Sequence, residues 1–421
     1  MNTNVEPIIK QIKNIDPISS SSWIDGIKLY AQQYFSDKSD QNLLADKDAF
    51  YINNLLKTDF LDYKIQISDS LNISDHFVET VKSFNDSYII PIYNSNIIYE
   101  FVDLPENLTL DNSAVFKNYL GSTISHKNFS SFLNFLVAKN LYLLNIPDDF
   151  TADKPIVFLN YCDHSTTSIN NTRIALLAGA NSRLTVNEVF TGTGQYIRNS
   201  ITELFLQKNS CIDFLHIDDD SDSSHTFSNF GSSLSERSSL NLWSSSIGGS
   251  YINSCNFYQL IGEESTFKNY GLNFSSHNQS YNYTSSIEHL FKSANSEQIQ
   301  KSISDDSSKI NFSGTIFVEK ECVDTDAKQL LRGLQLSPKS KINLSPELQI
   351  LADDVKCAHG ATIGQINDDE LFYLESRGID KISAKKMLLE SFFADLFIGI
   401  NQKSAIINNL MTKIKEKLKN V

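Results

Sequence analysis

Cysteine is scarce in this chain. There are five in 421 residues, at positions 162, 211, 255, 322 and 357, and no two form a Cys-x-x-Cys pair. That excludes a disulfide framework and a self-contained zinc or cluster site. A cluster held here would need ligands from a partner. Basic residues are outnumbered, 36 Lys and Arg against 50 Asp and Glu, for a net charge of −14. No basic stripe runs through the chain before its last residues, so no nucleic-acid partner is expected. The acid excess speaks for solubility and says little about fold. No apolar run reaches the ~18 residues of a spanning helix, and no membrane role is expected. Met1 to Pro7 carries no basic start followed by an apolar core, so no secretion signal is read and a cytoplasmic location is expected. There is no Walker A loop, no nucleophile elbow and no His-Glu-x-x-His. Gly192-Thr-Gly194 lacks the third glycine of a dinucleotide loop. If the system uses ATP, another chain must bind it.

Core material is plentiful. Hydrophobic residues make up 41%, with 27 Phe and 17 Tyr. The length exceeds one ordinary core, so two or three structural regions are expected. Residues 1 to about 85 read as helical. Trp23 to Phe35 has apolar residues at 23, 24, 27, 30, 31, 34 and 35, one face at a 3.6-residue period, with Ser22 able to cap it. Asp48–Phe60 and Ile73–Phe84 are shorter helix candidates. From 86 to about 125 the pattern turns to short extended pieces, Ser87–Tyr93 and Ile97–Val102, with Pro91 keeping the first at an edge. Residues 129 to 145 predict one more helix. Asp148–Asp153, between Pro147 and Pro155, reads as a turn.

Beyond Pro155 the chain becomes rich in Ser and Asn and alternates apolar with polar. A short unit, Ser-x-apolar-x-apolar, recurs at Ser182, Ser210 and Ser238, and imperfectly at Ser265, in steps of 28, 28 and 27 residues. It returns with looser spacing at Ser308 and Ser340. A strand-length unit at this interval fits a β-solenoid, each turn stacked on the last with apolar side chains inward. A β-sandwich with chance spacing is the competing reading.

Two features invite over-reading. Asp218 to Asp222 alternates carboxylates like a calcium loop, but Ser223 and Asn229 stand where Gly and Glu belong, so a solvated turn is expected. The other histidines are dispersed; Asp163, His164 and His216 are the ones able to join a buried polar site. Three helices are expected at the C-terminus: one capped by Asp368 and ended by Arg377 and Gly378, one after Ser383, and one over Ile407 to Leu418. Their apolar stripes pack against the solenoid end and each other, with surface to spare for docking. Lys413, Lys415, Lys417 and Lys419 form a mostly solvated face.

The chain is organised around Ala352-Asp-Asp-Val-Lys-Cys357-Ala-His359-Gly360-Ala361-Thr362-Ile363-Gly364. In an extended segment Cys357 and His359 share a face. Both can bind iron, zinc or copper once deprotonated. Two ligands do not close a metal site, and a packed thiol beside a hydrogen-bonded imidazole is the plainer reading.

This stretch, with Pro346–Ile350 before it and Leu371–Ile379 after it, resembles the signature of the SufB/SufD family. The His-Gly-Ala-Thr-x-Gly form is similar to the SufD branch, a SufB-like protein carrying His-Glu-Ala instead. The resemblance is dense over residues 310 to 397, diffuse over 150 to 310 and poor before. It implies a mainly β fold: a right-handed parallel β-helix core over 151–364, a mainly helical N-terminal domain over 1–150, and a helical region over 365–421 that docks an ATPase. It further implies a non-catalytic scaffold of the SUF system, pairing with a SufB-like subunit and a SufC-like ABC-type ATPase, with a homodimer possible in isolation. No cofactor would be held stably by the isolated chain, only transient iron or an iron–sulfur cluster in the complex. His359 stands at the family position for an iron or cluster ligand on the partner interface. Cys357 is its less certain companion, with a small buried thiol as the alternative. Gly360, Ala361, Thr362, Gly364, Arg377, Phe392 and Phe393 fall in the expected interface region. A β-helix that binds or cleaves polysaccharide is the alternative from another class.

Overall fold

The structure is a computed structural model that describes residues 64–65, 73–108, 110, 116, 119–124, 130–131, 133–134, 141–397, 400 and 405–417. The helices expected over Trp23–Phe35 and Asp48–Phe60 lie outside the described residues. Parallel strands dominate. In chain order they are β1 (Lys64–Ile65), β2 (Tyr88–Tyr93), β3 (Asn96–Ile97), β4 (Leu141–Ile146), β5 (Ile156–Ala178), β6 (Arg183–Leu206), β7 (Cys211–Asp219), β8 (His225–Leu234), β9 (Ser239–Ser246), β10 (Tyr251–Leu260), β11 (Thr266–Ser275), β12 (Ser280–His289), β13 (Asn295–Ser304), β14 (Lys309–Val318), β15 (Asp326–Gln335), β16 (Lys341–Ile350) and β17 (Lys356–Gly364).

From β7 onward each strand pairs with the next but one. One ladder runs through the start of β6, then β7, β9, β11, β13, β15 and β17. The other runs through the end of β6, then β8, β10, β12, β14 and β16. The long β5 and β6 bend from one ladder into the other, with a register shift between His164 and Ser168. The result is a β-solenoid of about eight turns, as the serine spacing predicts.

The repeated serine marks a corner. Asn181, Asn209, Arg237 and Glu264 have φ of 59°, 58°, 53° and 58°. A non-glycine residue in that conformation costs about 1–2 kcal/mol. The next residue is in each case the repeated serine, buried, and its hydroxyl donates to the carbonyl three residues back. Ser182 bonds Gly179 at 2.7 Å, Ser210 bonds Gln207 at 2.7 Å, Ser238 bonds Ser235 at 2.8 Å and Ser265 bonds Gly262 at 2.8 Å. A small hydroxyl fits the crowded inside of the bend and satisfies its buried carbonyl. Ser308 and Ser340 repeat the bond at corners of the other ladder, which is why their spacing drifts from the first four.

Between the ladders lies the main core, including Phe158, Val186, Ile212, Phe214, Leu240 and Phe267 facing Leu204, Leu234, Leu260, Ile287 and Ile316. The outer face of the first ladder carries a second apolar layer: Val157, Leu159, Leu215, Ile217, Trp243, Leu272, Phe274 and Ile303. Four helical pieces cover it. They are α1 (Asp75–Lys82), α3 (Lys381–Phe393) with the 3-10 turn Ala394–Phe397, and α4 (Ala405–Lys417). The C-terminal helices thus lie on a face of the solenoid, where the sequence places them at its end. Trp243 Nε1 donates to the Leu396 carbonyl at 3.0 Å, and Lys301 Nζ reaches the Phe392 carbonyl and Asp395.

Several boundaries differ from expectation. Leu141–Ile146 is a strand paired with β5, where the sequence predicts the end of a helix. Its pairing with β5 and its burial on the solenoid outweigh its helix-like spacing. Ile97–Val102 is a two-residue strand followed by a 3-10 turn. The predicted helix at Ile73–Phe84 forms as α1, with Ser74 as its cap. Asn367 rather than Asp368 caps α2 (Asp368–Ser376), and Asp380 caps α3 three residues before Ser383.

The candidate partner interface and metal-ligand site

β17 is the last strand of the solenoid and pairs only with β15. β16, beside it, pairs only with β14. Among the described residues, both therefore leave one row of backbone N–H and C=O groups without a strand partner. The Lys356 N–H bonds the Thr325 carbonyl. Parallel pairing alternates sides, so the backbone groups of residues 357, 359, 361 and 363 point to the free edge.

In register, Cys357 lies over Ala327, His359 over Gln329 and Ala361 over Leu331. All three partners are buried, so the residues of this phase face the interior of the solenoid at its open mouth. The shared face expected for Cys357 and His359 is thus present. Their surroundings differ. Cys357 is half-buried and packs against the main core. Burial pushes its thiol pKa up, so it is held as a thiol at neutral pH. His359 is exposed. An imidazole that is open to solvent offers a nitrogen directly to an incoming metal, while a half-buried thiol must first give up its proton. Among the described residues no group of three or more His, Cys, Asp or Glu could hold a metal ion. The donor set fits one ligand of a shared site.

Gly360 sits half-buried over Leu330, and Ala361, Thr362 and Gly364 are exposed along the same strand. Around them lie the exposed apolar residues Leu330, Leu351 and Ile363, with Phe372 and Tyr373 on α2 exposed 70% and 56%. Arg377 ends α2. Its guanidinium sits 5.2 Å from the Tyr373 ring centre, and Gly378 takes φ of 87° to turn the chain. Phe392 is half-buried, flanked by Lys301 and Arg332 at 5.3 and 5.5 Å. Phe393 has no exposed surface in the isolated chain, so it can serve an interface only by supporting it from beneath.

Inside the solenoid the sequence reading needs a correction. Asp218 and Asp220 are no solvated turn: they are 2% and 4% exposed. Arg198 Nε donates to Asp220 at 2.8 Å and its terminal nitrogen reaches Asp218. His216 lies between Glu188 at 2.9 Å and Asp218 at 3.3 Å. Thr202, Thr226, Ser246 and Tyr196 complete the carboxylates' bonding. Burial opposes a charge on His216, but Asp218 and Glu188 outweigh it and push its pKa up to about 10. His216 and Asp218 border a cavity of about 40 Å³ that also touches Ser228, Asn256, Asn269 and Gln298. His216 was legible as a possible member of a buried polar site. Arg198 and Glu188 were not, because their only signal is ladder register, which joins residues 20 to 30 apart. Lys413 and Lys417, expected on a solvated face, turn toward the solenoid: Lys413 pairs with Asp219, and Lys417 lies 6.0 Å from the Phe274 ring.

Residues 161–392 match the family model described as SUF system FeS cluster assembly, SufBD core domain. Three curated relatives are similar. Protein ABCI7, chloroplastic, of Arabidopsis thaliana is 29% identical over 343 residues, 77% of this chain and 71% of the relative. The iron–sulfur cluster assembly SufBD family protein slr0076 of Synechocystis is 28% identical over 303 residues, 69% and 66%. The iron–sulfur cluster assembly protein SufD of Escherichia coli is 34% identical over 173 residues, 41% of each chain. With a solenoid whose core domain match covers more than half of its length, the chain belongs to the SufBD core family of the SUF system for FeS cluster assembly.

Proposed function

We propose that this chain is a non-catalytic, SufD-like scaffold subunit. It pairs with a SufB-like subunit through the open last turn of the solenoid and docks a SufC-like ABC-type ATPase through its C-terminal helices. Iron or a nascent iron–sulfur cluster is the cargo, and His359 supplies one ligand at the interface. One observation carries this reading: among the described residues the last turn is uncapped, with two free strand edges and exposed Leu330, Leu351 and Ile363 beside an exposed imidazole. Free parallel edges are open to strand addition. Imidazole suits ferrous iron and releases it more readily than thiolate, which favours a cluster that is passed on. Cys357, half-buried and held as a thiol, fits support of the strand better than a first ligand.

No described helix is long and apolar enough to cross a membrane. A cytoplasmic setting belongs to this reading. The Arabidopsis relative is chloroplastic by name, and a plastid interior would serve the same role. The polysaccharide alternative gains no support, because the carboxylates Glu188, Asp218 and Asp220 face the sealed interior instead of a groove.

The test is co-expression with SufB-like and SufC-like partners. Ala361→Pro removes a free-edge N–H and leaves the bonds to β15 in place. The reading expects a stable chain that still retains the ATPase and loses the SufB-like subunit. A variant that keeps both partners would remove strand addition from the model of pairing, and a wild-type chain that retains neither would remove the scaffold reading.

A further inference from the structure

A polar column runs up the inside of the first ladder to the candidate site. Successive rungs place Val186, Phe214 and Leu242 in line, then Asn269, Gln298, Gln329 and finally His359. The column switches from apolar to amide side chains at the fourth rung. Asn269, Gln298 and Gln329 are 3%, 0% and 3% exposed. Buried amides in a solenoid core are less favourable than the aliphatic residues that precede them unless each is bonded. The bonds of the two glutamines run in one direction. Gln298 Nε2 donates to Ser285 Oγ at 2.9 Å. Gln329 Nε2 donates to Gln298 Oε1 at 2.7 Å. That fixes the Gln329 amide, and its Oε1 is left buried with no hydrogen-bond partner.

The opposite strand makes room for this amide. Gly314 stands where a Cβ would lie 2.3 Å from Gln329 Nε2. The site is therefore shaped around the glutamine, and the orphan oxygen is a product of that shaping. The next rung above holds His359, on the same inward phase, one strand spacing of ~4.8 Å away. Metal-bound histidines donate their second ring N–H to a carbonyl or carboxylate oxygen, which sets the tautomer and aims the other nitrogen at the metal.

We infer that Gln329 is a positioning residue for His359: its Oε1 accepts the imidazole N–H when the ring turns toward the mouth of the solenoid, leaving the other ring nitrogen for iron. This rests on the proposed role of His359 for its purpose, though not for its geometry. Ser285 and Gln298 set the Gln329 amide from below, and Gly314 holds the space it needs.

The test uses the full-length chain with ¹⁵N-labelled histidine. The His359 signals are assigned by their loss in His359→Ala, and ring ¹⁵N shifts read the tautomer. One dominant tautomer is expected in the wild type, the mixed population of an unconstrained imidazole in Gln329→Leu, and restoration in Gln329→Glu, which keeps an acceptor oxygen. In the co-purified complex, Gln329→Leu should lower iron affinity about tenfold, with Gln329→Glu closer to wild type. Far-UV circular dichroism and melting confirm that each variant folds. An unchanged tautomer ratio in a folded Gln329→Leu protein overturns the inference. If the tautomer responds and His359→Ala retains all its iron, the positioning contact stands and the ligand role of His359 fails, so the two failures are told apart.

Discussion

β7 and β17 are strands of one ladder, five rungs apart, and they differ in character. In β7, Ile212 and Phe214 face the interior and Leu215 and Ile217 face the helices, all at most 4% exposed. In β17, only Cys357 and Gly360 are even half-buried, and Ile363, on the inward phase at the mouth, is still 45% exposed. The early turns are sealed on both faces and hold an ionic cluster in their centre. The last turn is open on its edge and at its mouth. The difference teaches where stability ends and recognition begins. A solenoid turn gains its burial from the turns on either side, so a final turn without a cap has unmet capacity for a neighbour.

Substitutions should separate the two regions cleanly. The largest effect is expected in the ionic cluster. Arg198→Met leaves Asp218 and Asp220 buried without their cation and should lower unfolding free energy by about 3–5 kcal/mol in a denaturant titration. Phe393→Ala, under the covering helices, should cost a similar ~3–5 kcal/mol by opening a cavity against Trp243 and its neighbours. Ser210→Ala, at a corner, removes one buried bond to a carbonyl and should cost about 1–2 kcal/mol. In the last turn, His359→Ala and Ile363→Ser should change stability by less than ~0.5 kcal/mol, since neither side chain is packed. A large loss from either would break the comparison.

A pH series sharpens it. His216 has a folded pKa of about 10, above the 6.5 of an unperturbed imidazole. Its contribution to stability is complete below the unfolded value and is lost as pH rises through about 10. Asp218 is shifted the other way: burial raises its pKa, but His216 and Arg198 outweigh that and hold it well below the usual carboxylate range. Its contribution is present above the unfolded value and lost in acid. The melting temperature should therefore fall more steeply between pH 7 and 10 in the wild type than in His216→Gln, as scanning calorimetry can check.

The solenoid was legible because its corners repeat a chemistry: a left-handed residue, then a buried serine that closes the bend. Ser182, Ser210, Ser238 and Ser265 belong to one ladder, so their spacing stays even. Ser308 and Ser340 lie on the other, so the rhythm blurs. Cys357 and His359 were legible as a pair on one face, because alternation within a strand is local. Gln329 beneath His359 was not, since thirty residues separate two neighbours in register. The Asp218–Asp222 run was misread for the same reason: nothing beside it in sequence announces Arg198, whose charge draws those carboxylates inward. Lys413 likewise has its partner, Asp219, far back in the chain.

The central claim is that the open last turn carries the cargo through His359. The most direct test is to purify the complex of this chain with its SufB-like and ATPase partners without oxygen, and to measure iron and acid-labile sulfide for the wild type and His359→Ala. The account predicts a variant complex that assembles normally and loses both. Equal iron and sulfide in the two complexes would contradict it and leave the last turn as architecture alone.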